Sequence, residues 1–346
     1  MEVTLLADYP QAIHALLEEL GGLGSGDEAR LELYLLEPGE SSQAVLAALR
    51  AAAERGVRVR VALDASAASA LSRLVEGTGT LRGAARALAR ALPGRVELVR
   101  RAGTDHAKVL SFLRPGGVSS ALFGGMNLGD RFRAWRDFMV LVRGSEAVAA
   151  LEQARAGRVP LPPAAALGAE VLRFVANAPA AGVFQVRAVF EALFDAPAWE
   201  EFRIAMAYLD RRGAALIARA LARGAQVELW LPRDPNVYPQ ANLRALAGLL
   251  GGPHANALRV GLVPGMLHAK ALLARGTGGR RVAFLGSANL KRNSLDRFGE
   301  LDALVAEPRF LADLTAALDR YALEAEPLRA PPRYRLLRAW LEELLG

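Results

Sequence analysis

Two short patterns, His106-Ala-Lys108 and His268-Ala-Lys270, are the places in this 346-residue chain best suited to chemistry on an anion. The chain has four histidines, and its 43 lysines and arginines include only three lysines, Lys108, Lys270 and Lys291. Random placement would yield roughly 0.03 His-x-Lys pairs, so two carry information. Arginine stands wherever a generic cation serves, so a retained lysine marks a need for a compact ammonium. The surroundings repeat as well. His106 leads to Gly124-Gly125-Met126-Asn127 and His268 to Gly286-Ser287-Ala288-Asn289, each histidine 21 residues before its asparagine, with the copies 162 apart. An acid follows each, Asp137 and Glu300, at 31 and 32 residues past the histidine.

Residues two apart on a strand face the same way, so each His-Lys pair is expected to point into one cleft. If the halves pair about a pseudo-twofold axis, two imidazoles, two ammoniums and two amides converge. That set suits a phosphodiester. Lys108, Lys270, Asn127 and Asn289 would bind non-bridging oxygens and stabilise the pentacovalent transition state. One neutral histidine would attack phosphorus and the other would protonate the leaving oxygen. Asp137 and Glu300 would each hold a histidine Nδ1–H, fixing its tautomer; an ordinary ion pair is their competing reading. Gly125 would allow close approach of a ligand, and Ser287 and Ser294 would offer it hydroxyls. No cofactor is called for, and no metal either, since the zinc-type donor spacings are missing. Lys291 could guide an anion or be a surface cation. Trp135 could line an acyl entrance or pack in the core. His14 and His254 have no partners nearby in sequence and read as structural.

The elements that must hold these residues alternate between strand and helix, which points to an α/β sandwich. Strands are predicted at 31–36, 57–64, 96–100, 121–127 and 137–143, with helices at 41–55, opened by a Ser41 cap, at about 67–92 and at 145–156. The order repeats with strands at 202–209, 227–231, 258–263, 281–289 and 300–305 and helices at 213–223, 242–250 and 309–323. Residues 1–157 would form the first half, 158–183 a Pro-rich linker, and 184–330 the second half. Residues 331–346 would form a final amphipathic helix whose apolar side carries Leu337, Trp340, Leu341, Leu344 and Leu345. Core packing is its first reading, lipid contact through Trp340 and nearby arginines its second.

Cysteine is absent, which excludes disulfides, thiolate catalysis and Cys-type metal sites. The net charge of +7 suits anionic partners such as lipid headgroups or nucleic acid, and also fits an Arg-rich composition. No signal peptide or 18-residue apolar span is visible, so the expected location is cytoplasmic, with peripheral membrane contact.

On these motifs, together with Ser294 and Glu300 at five and eleven residues past Asn289, the chain resembles the phospholipase D superfamily over about residues 28–325. Gly124–Asp130 followed by Trp135-Arg136-Asp137, and Gly286–Leu290 followed by Glu300–Val305, resemble its cardiolipin synthase branch. The resemblance implies two homologous α/β sandwich halves, each a mixed sheet flanked by helices. It also implies a phosphohistidine intermediate, with His106 as nucleophile and His268 as acid. The substrate it implies is a glycerophospholipid, taken by hydrolysis or phosphatidyl transfer at a membrane surface. A metal-independent nuclease on the same scaffold is the alternative, and a non-catalytic binding protein the third. A monomer would suffice, because both half-sites lie on one chain. The chain departs from the family pattern where Leu113 and Arg275 replace an acid five residues after each lysine. Phe298 stands where asparagine is frequent, and the N-terminal membrane helices of many bacterial cardiolipin synthases are missing.

Overall fold

A computed structural model describes residues 1–37, 39–64, 90, 92, 96–99 and 104–345. The helix predicted at about 67–92 lies almost wholly outside the described residues. The first sheet contains β1 (Glu2–Leu6), β2 (Glu28–Leu33), β3 (Arg58–Asp64), β4 (Val96–Val99), β5 (Lys108–Leu113), β6 (Ser120–Gly124) and β7 (Met139–Arg143), in the order β1-β7-β6-β5-β2-β3-β4. The second contains β8 (Leu172–Ala178), β9 (Val183–Phe184), β10 (Trp199–Met206), β11 (Gln226–Pro232), β12 (Leu258–Val263), β13 (Lys270–Gly276), β14 (Arg281–Gly286), β15 (Glu300–Val305) and β16 (Glu326–Pro327). Its order is β16-β12-β11-β10-β13-β14-β15-β8-β9. Without β9 and β16 this is the first order again. Strands β2, β3 and β4 run parallel, as do β10, β11 and β12, while the rest of each sheet is antiparallel.

Runs such as Lys108-Val-Leu-Ser-Phe-Leu113 and Arg281-Val-Ala-Phe-Leu-Gly286 are apolar over most of their length because both faces of the strands are covered. Alternation sorts them: Val109, Ala121, Phe123 and Val140 join Ala271, Leu273, Ala283 and Leu285 in one core shared by the two sheets. The opposite side chains, Leu110, Phe112 and Leu122, pack under α1 (Tyr9–Gly21) and α2 (Glu40–Glu54). Leu272, Ala274 and Phe284 pack under α4 (Val186–Asp195), α5 (Arg211–Ala222) and α6 (Pro239–Leu250). Helices α3 (Ser145–Arg155) and α8 (Pro308–Glu324) close the shared core, and α7 (Arg292–Asp296) is a single turn.

Three expectations are corrected. Residues 158–183 are more than a linker, because β8 pairs antiparallel with β15 as β1 pairs with β7. Leu172–Ala178 is thus the second half's counterpart of Glu2–Leu6, its buried Phe174 and Ala176 facing the shared core. The start of α2 has no side-chain cap of its own; Asp130 accepts from Glu40 N at 2.6 Å and Ser41 N at 3.0 Å and takes that role. The last helix, α9 (Leu336–Leu345), does not bury its apolar side: Leu337, Trp340, Leu341 and Leu344 are exposed. Among the described residues no helix is long and apolar enough to cross a membrane.

Candidate active site

The register of the sheets gathers the motif residues at one end. Lys108 opens β5 and pairs with Gly124, which pairs with Met139, two residues after Asp137. In the second sheet Lys270 opens β13 beside the end of β14, and Gly286 pairs with Asp302, two residues after Glu300. Each asparagine follows three residues after its glycine.

The halves then cross. Asp105 and Gly299 form an isolated parallel bridge, with His106 N donating to Gly299 O at 2.8 Å. Arg136 and Leu267 form its counterpart, with His268 N donating to Arg136 O at 2.7 Å. These bridges set each histidine beside the acid of the other half. His106 Nδ1 lies 3.2 Å from Glu300 Oε2, and His268 Nδ1 lies 2.6 Å from Asp137 Oδ2. With Nδ1 held by a carboxylate, Nε2 is the ring nitrogen left for a reacting atom. The rings are wedged in the same crossed manner. Tyr34 packs edge-on against His106 at 4.9 Å, with Phe298 on it at 6.4 Å; Tyr208 lies 5.9 Å from His268 and Trp135 4.9 Å.

Lys108 and Lys270 are buried, each donating to the carbonyl of its own histidine. Lys270 Nζ lies 2.7 Å from His268 Nδ1 and 3.1 Å from Nε2, so it crowds the ring rather than serving one lone pair. Burial and the nearby lysine push the pKa of His106 down to about 4, and burial and Lys270 push that of His268 down to about 3, each against the pull of its carboxylate. Each histidine also feels the lysine of the other half, so the four groups share one field. Burial lowers Lys270 to about 7 in spite of Asp137. Asp137 is itself buried, yet Lys270 and His268 hold its carboxyl below the usual range. The site therefore favours two neutral imidazoles, and an entering anion would stabilise the protonated forms of Lys270 and the histidines.

Asn289 turns Oδ1 to Tyr208 N at 3.2 Å, and its buried Nδ2 has no hydrogen-bond partner among the described residues; Asn127 likewise keeps one buried amide atom, Oδ1, without a partner. Gly125 and Ser287 are equivalent positions that serve the acids. A Cβ on Gly125 would lie 2.3 Å from Asp137 Oδ1, so only glycine admits that carboxylate. Ser287 Oγ donates to Glu300 Oε2 at 2.5 Å and accepts from Leu301 N at 3.1 Å, which spends it on the acid rather than freeing it for a ligand. Ser294 is buried on α7; its carbonyl accepts from Asn177 Nδ2 at 2.7 Å and its hydroxyl has no partner among the described residues. Lys291 is buried, its Nζ 4.3 Å from the Tyr238 ring centroid, 5.6 Å from that of Tyr208 and 5.8 Å from that of Phe298, rather than a surface cation.

Four residues at the site escape sequence reasoning. Tyr34 and Tyr208 follow β2 and β10 with no motif around them. Arg155 donates to Asp105 Oδ2 at 2.8 Å and to Glu32 Oε2 at 2.5 Å, anchoring the residue before His106, but it comes from a helix read only as a closing element. Asp302 is buried two residues past Glu300, and burial together with Glu300 holds its carboxyl well above the usual range. Its acid at a buried strand position was the available signal.

Residues 193–322 match the family model described as "Cardiolipin synthase, PLD-like domain", a stretch that contains His268, Lys270, Asn289 and Glu300. No curated protein sequence matches the chain. The fold is similar to that of phosphatidylserine synthase from Haemophilus influenzae Rd KW20, with a TM-score of 0.69 at 14% identity over 99% of this chain and 92% of that one. It is also similar to polyphosphate kinase from Porphyromonas gingivalis, with a TM-score of 0.61 at 16% identity over 99% of this chain and 53% of that one. A yeast tyrosyl-DNA phosphodiesterase mutant gives 0.53 at 10% identity over 89% and 92%. Residues 193–322 are thus similar in sequence to a cardiolipin synthase-type, PLD-like domain, and the chain as a whole shares the fold of these structures.

Proposed function

We propose that the chain is a metal-independent phosphodiesterase or phosphatidyltransferase acting on glycerophospholipids. The observation that carries the reading is the crossed pair of His–carboxylate contacts, His106 with Glu300 and His268 with Asp137, around buried Lys108 and Lys270. In the proposed first step the Nε2 lone pair of His106 forms a bond to phosphorus. The bond from phosphorus to the leaving oxygen breaks, and His268 delivers a proton from Nε2 to that oxygen. Both histidines are neutral before substrate binds, so His268 takes its Nε2 proton from solvent as the anionic phosphodiester enters. Asp137, close to His268 and kept ionised, suits that ring as the one that becomes imidazolium. In the second step water or an alcohol gives its proton to His268 and its oxygen attacks phosphorus; the N–P bond breaks and His106 is restored. The lysines and the amide nitrogens of Asn127 and Asn289, the latter with its Nδ2 unpartnered among the described residues, would hold the non-bridging oxygens.

The match of residues 193–322 to a cardiolipin synthase-type model supports the lipid substrate. The net charge of +7 favours nucleic acid as the second reading. The proposed setting is a membrane surface reached from the cytoplasm, with one chain supplying both half-sites. The test is a product assay on phosphatidylglycerol vesicles in EDTA with added glycerol or ethanol, beside single-stranded DNA, comparing wild type with His106→Ala and His268→Ala. Phosphatidyl-alcohol products lost in both variants are expected. DNA cleavage without lipid turnover would move the activity to nucleic acid.

A further inference from the structure

The last helix is attached to the protein by its polar side. Ala339 is its buried contact, and its two acids point inward with it. Glu342 Oε2 accepts from Gln240 N at 2.7 Å and Ala241 N at 2.9 Å, capping the start of α6. Glu343 Oε2 accepts from Arg211 at 3.1 Å and Arg244 at 3.3 Å. The apolar side is turned to solvent: Leu337 is 71% exposed, Trp340 48%, Leu341 42% and Leu344 52%. The spacing i, i+3, i+4, i+7 makes these four one continuous stripe. A globular helix buries such a stripe; here carboxylates hold the helix so that the stripe stays outside.

The charges beside the stripe have one sign. Arg329, Arg333 and Arg335 precede it and Arg338 lies within it, whereas Glu342 and Glu343 face the protein. Arg338 donates to Glu342 Oε1 at 3.0 Å and remains largely exposed. The position is also specific. The start of α6 that Glu342 caps follows Tyr238, which packs on Tyr208 at 5.4 Å, and Tyr208 packs on His268 at 5.9 Å. The inner side of the helix is therefore linked to His268 through the start of α6, Tyr238 and Tyr208.

We infer that α9 is an interfacial helix that docks the protein on an anionic phospholipid surface, with Leu337, Trp340, Leu341 and Leu344 among the acyl chains and the arginines at the headgroups. An apolar stripe with a tryptophan and flanking arginines has the composition that lies in a membrane interface. A second copy of the chain fits less well, because a twofold contact would set the same arginine row against itself. The inference rests on the lipid reading above for its purpose, since docking would bring the phosphodiester plane of the bilayer to the histidines.

The test uses the full chain and the variant Leu337→Ser/Trp340→Ser/Leu344→Ser, whose changes are exposed. Wild type is expected to float with vesicles of phosphatidylcholine mixed equally with phosphatidylglycerol, and to bind phosphatidylcholine alone at least about tenfold more weakly. The variant is expected to lose about tenfold or more in partitioning. Its turnover of vesicle lipid should fall through KM, while its turnover of a soluble chromogenic phosphodiester stays at the wild-type rate. Undiminished vesicle binding by the variant would overturn the inference. So would a dimer in the ultracentrifuge that the variant converts to monomer while vesicle binding stays unchanged. Failure of the lipid-enzyme reading shows separately, as wild type that binds vesicles but turns over neither substrate.

Discussion

Replacing Asp137 by Asn tests the crossed arrangement at one atom. The substitution keeps the size of the side chain and can keep the hydrogen bond from Phe138 N, 2.8 Å from Oδ1. It removes the charge 2.6 Å from His268 Nδ1 and 3.9 Å from Lys270 Nζ. At an effective dielectric constant near 20, a charge pair 3.9 Å apart is worth about 4 kcal/mol, or a factor of about a thousand in the proton affinity of Lys270. Lys270 already titrates at about 7, so the variant should hold it largely neutral at neutral pH. His268 would lose the acceptor that fixes its tautomer, and by analogy with the orienting aspartate of serine hydrolases turnover should fall about ten-thousandfold. The assay is nitrogen-detected NMR of the imidazoles, practical with four histidines, beside turnover of a soluble phosphodiester. The tautomer signals of His268 should change while those of His106, held by Glu300, stay in place. A response at His106 with His268 unmoved would refute the crossed pairing.

Other consequences follow from single contacts. Gly125→Ala would drive a methyl into the space of Asp137 and should cost about 1–3 kcal/mol of stability as well as activity, read by thermal unfolding and turnover. Asp302→Asn should stabilise the protein increasingly as pH rises from about 4. The folded-state pKa of Asp302 is raised, so the wild type loses about 1.4 kcal/mol per pH unit until that group ionises, and the variant does not; denaturant unfolding across pH checks it. The lowered values of His106 and His268 act in the opposite direction. The unfolded chain binds protons that the folded chain refuses, so stability should fall as pH drops from about 6.5 toward 4, and less so with vanadate present. Vanadate binding near neutral pH should take up protons, seen as a buffer-dependent heat in calorimetry.

The motif residues of the candidate site stood out in the sequence because lysine is so scarce, and because a 162-residue offset ties one motif to the other. Several strands were legible too, 281–289 and 300–305 from their apolar runs and 57–64 from valine alternating with arginine, whereas Lys108–Leu113 and Lys270–Gly276, in the middle of the two sheets, did not stand out as strands. The pairing of acids with histidines was not legible. It depends on two isolated backbone bridges, Asp105 with Gly299 and Arg136 with Leu267, which leave no periodic trace. Ser287 read as a ligand-facing hydroxyl, yet its partner is Glu300, because the longer acid leaves room that Asp137 fills against Gly125. Leu172–Ala178 was concealed in a Pro-rich stretch, where prolines on both sides suggested a connector rather than a strand. The final helix showed its amphipathic period plainly; which side would face the protein depended on carboxylates finding the start of α6 and two arginines.

The covalent step is the centre of the account, and rapid acid-free quenching followed by peptide mass spectrometry addresses it directly. The protein would be mixed with a phosphodiester substrate in EDTA and sampled during turnover. The account predicts an adduct of the substrate's phosphoryl portion on the peptide containing His106, absent from His106→Ala and accumulating in His268→Ala with a substrate whose leaving group needs no proton. Turnover that proceeds at the wild-type rate in His106→Ala, or an adduct that forms on His268 alone, would contradict it.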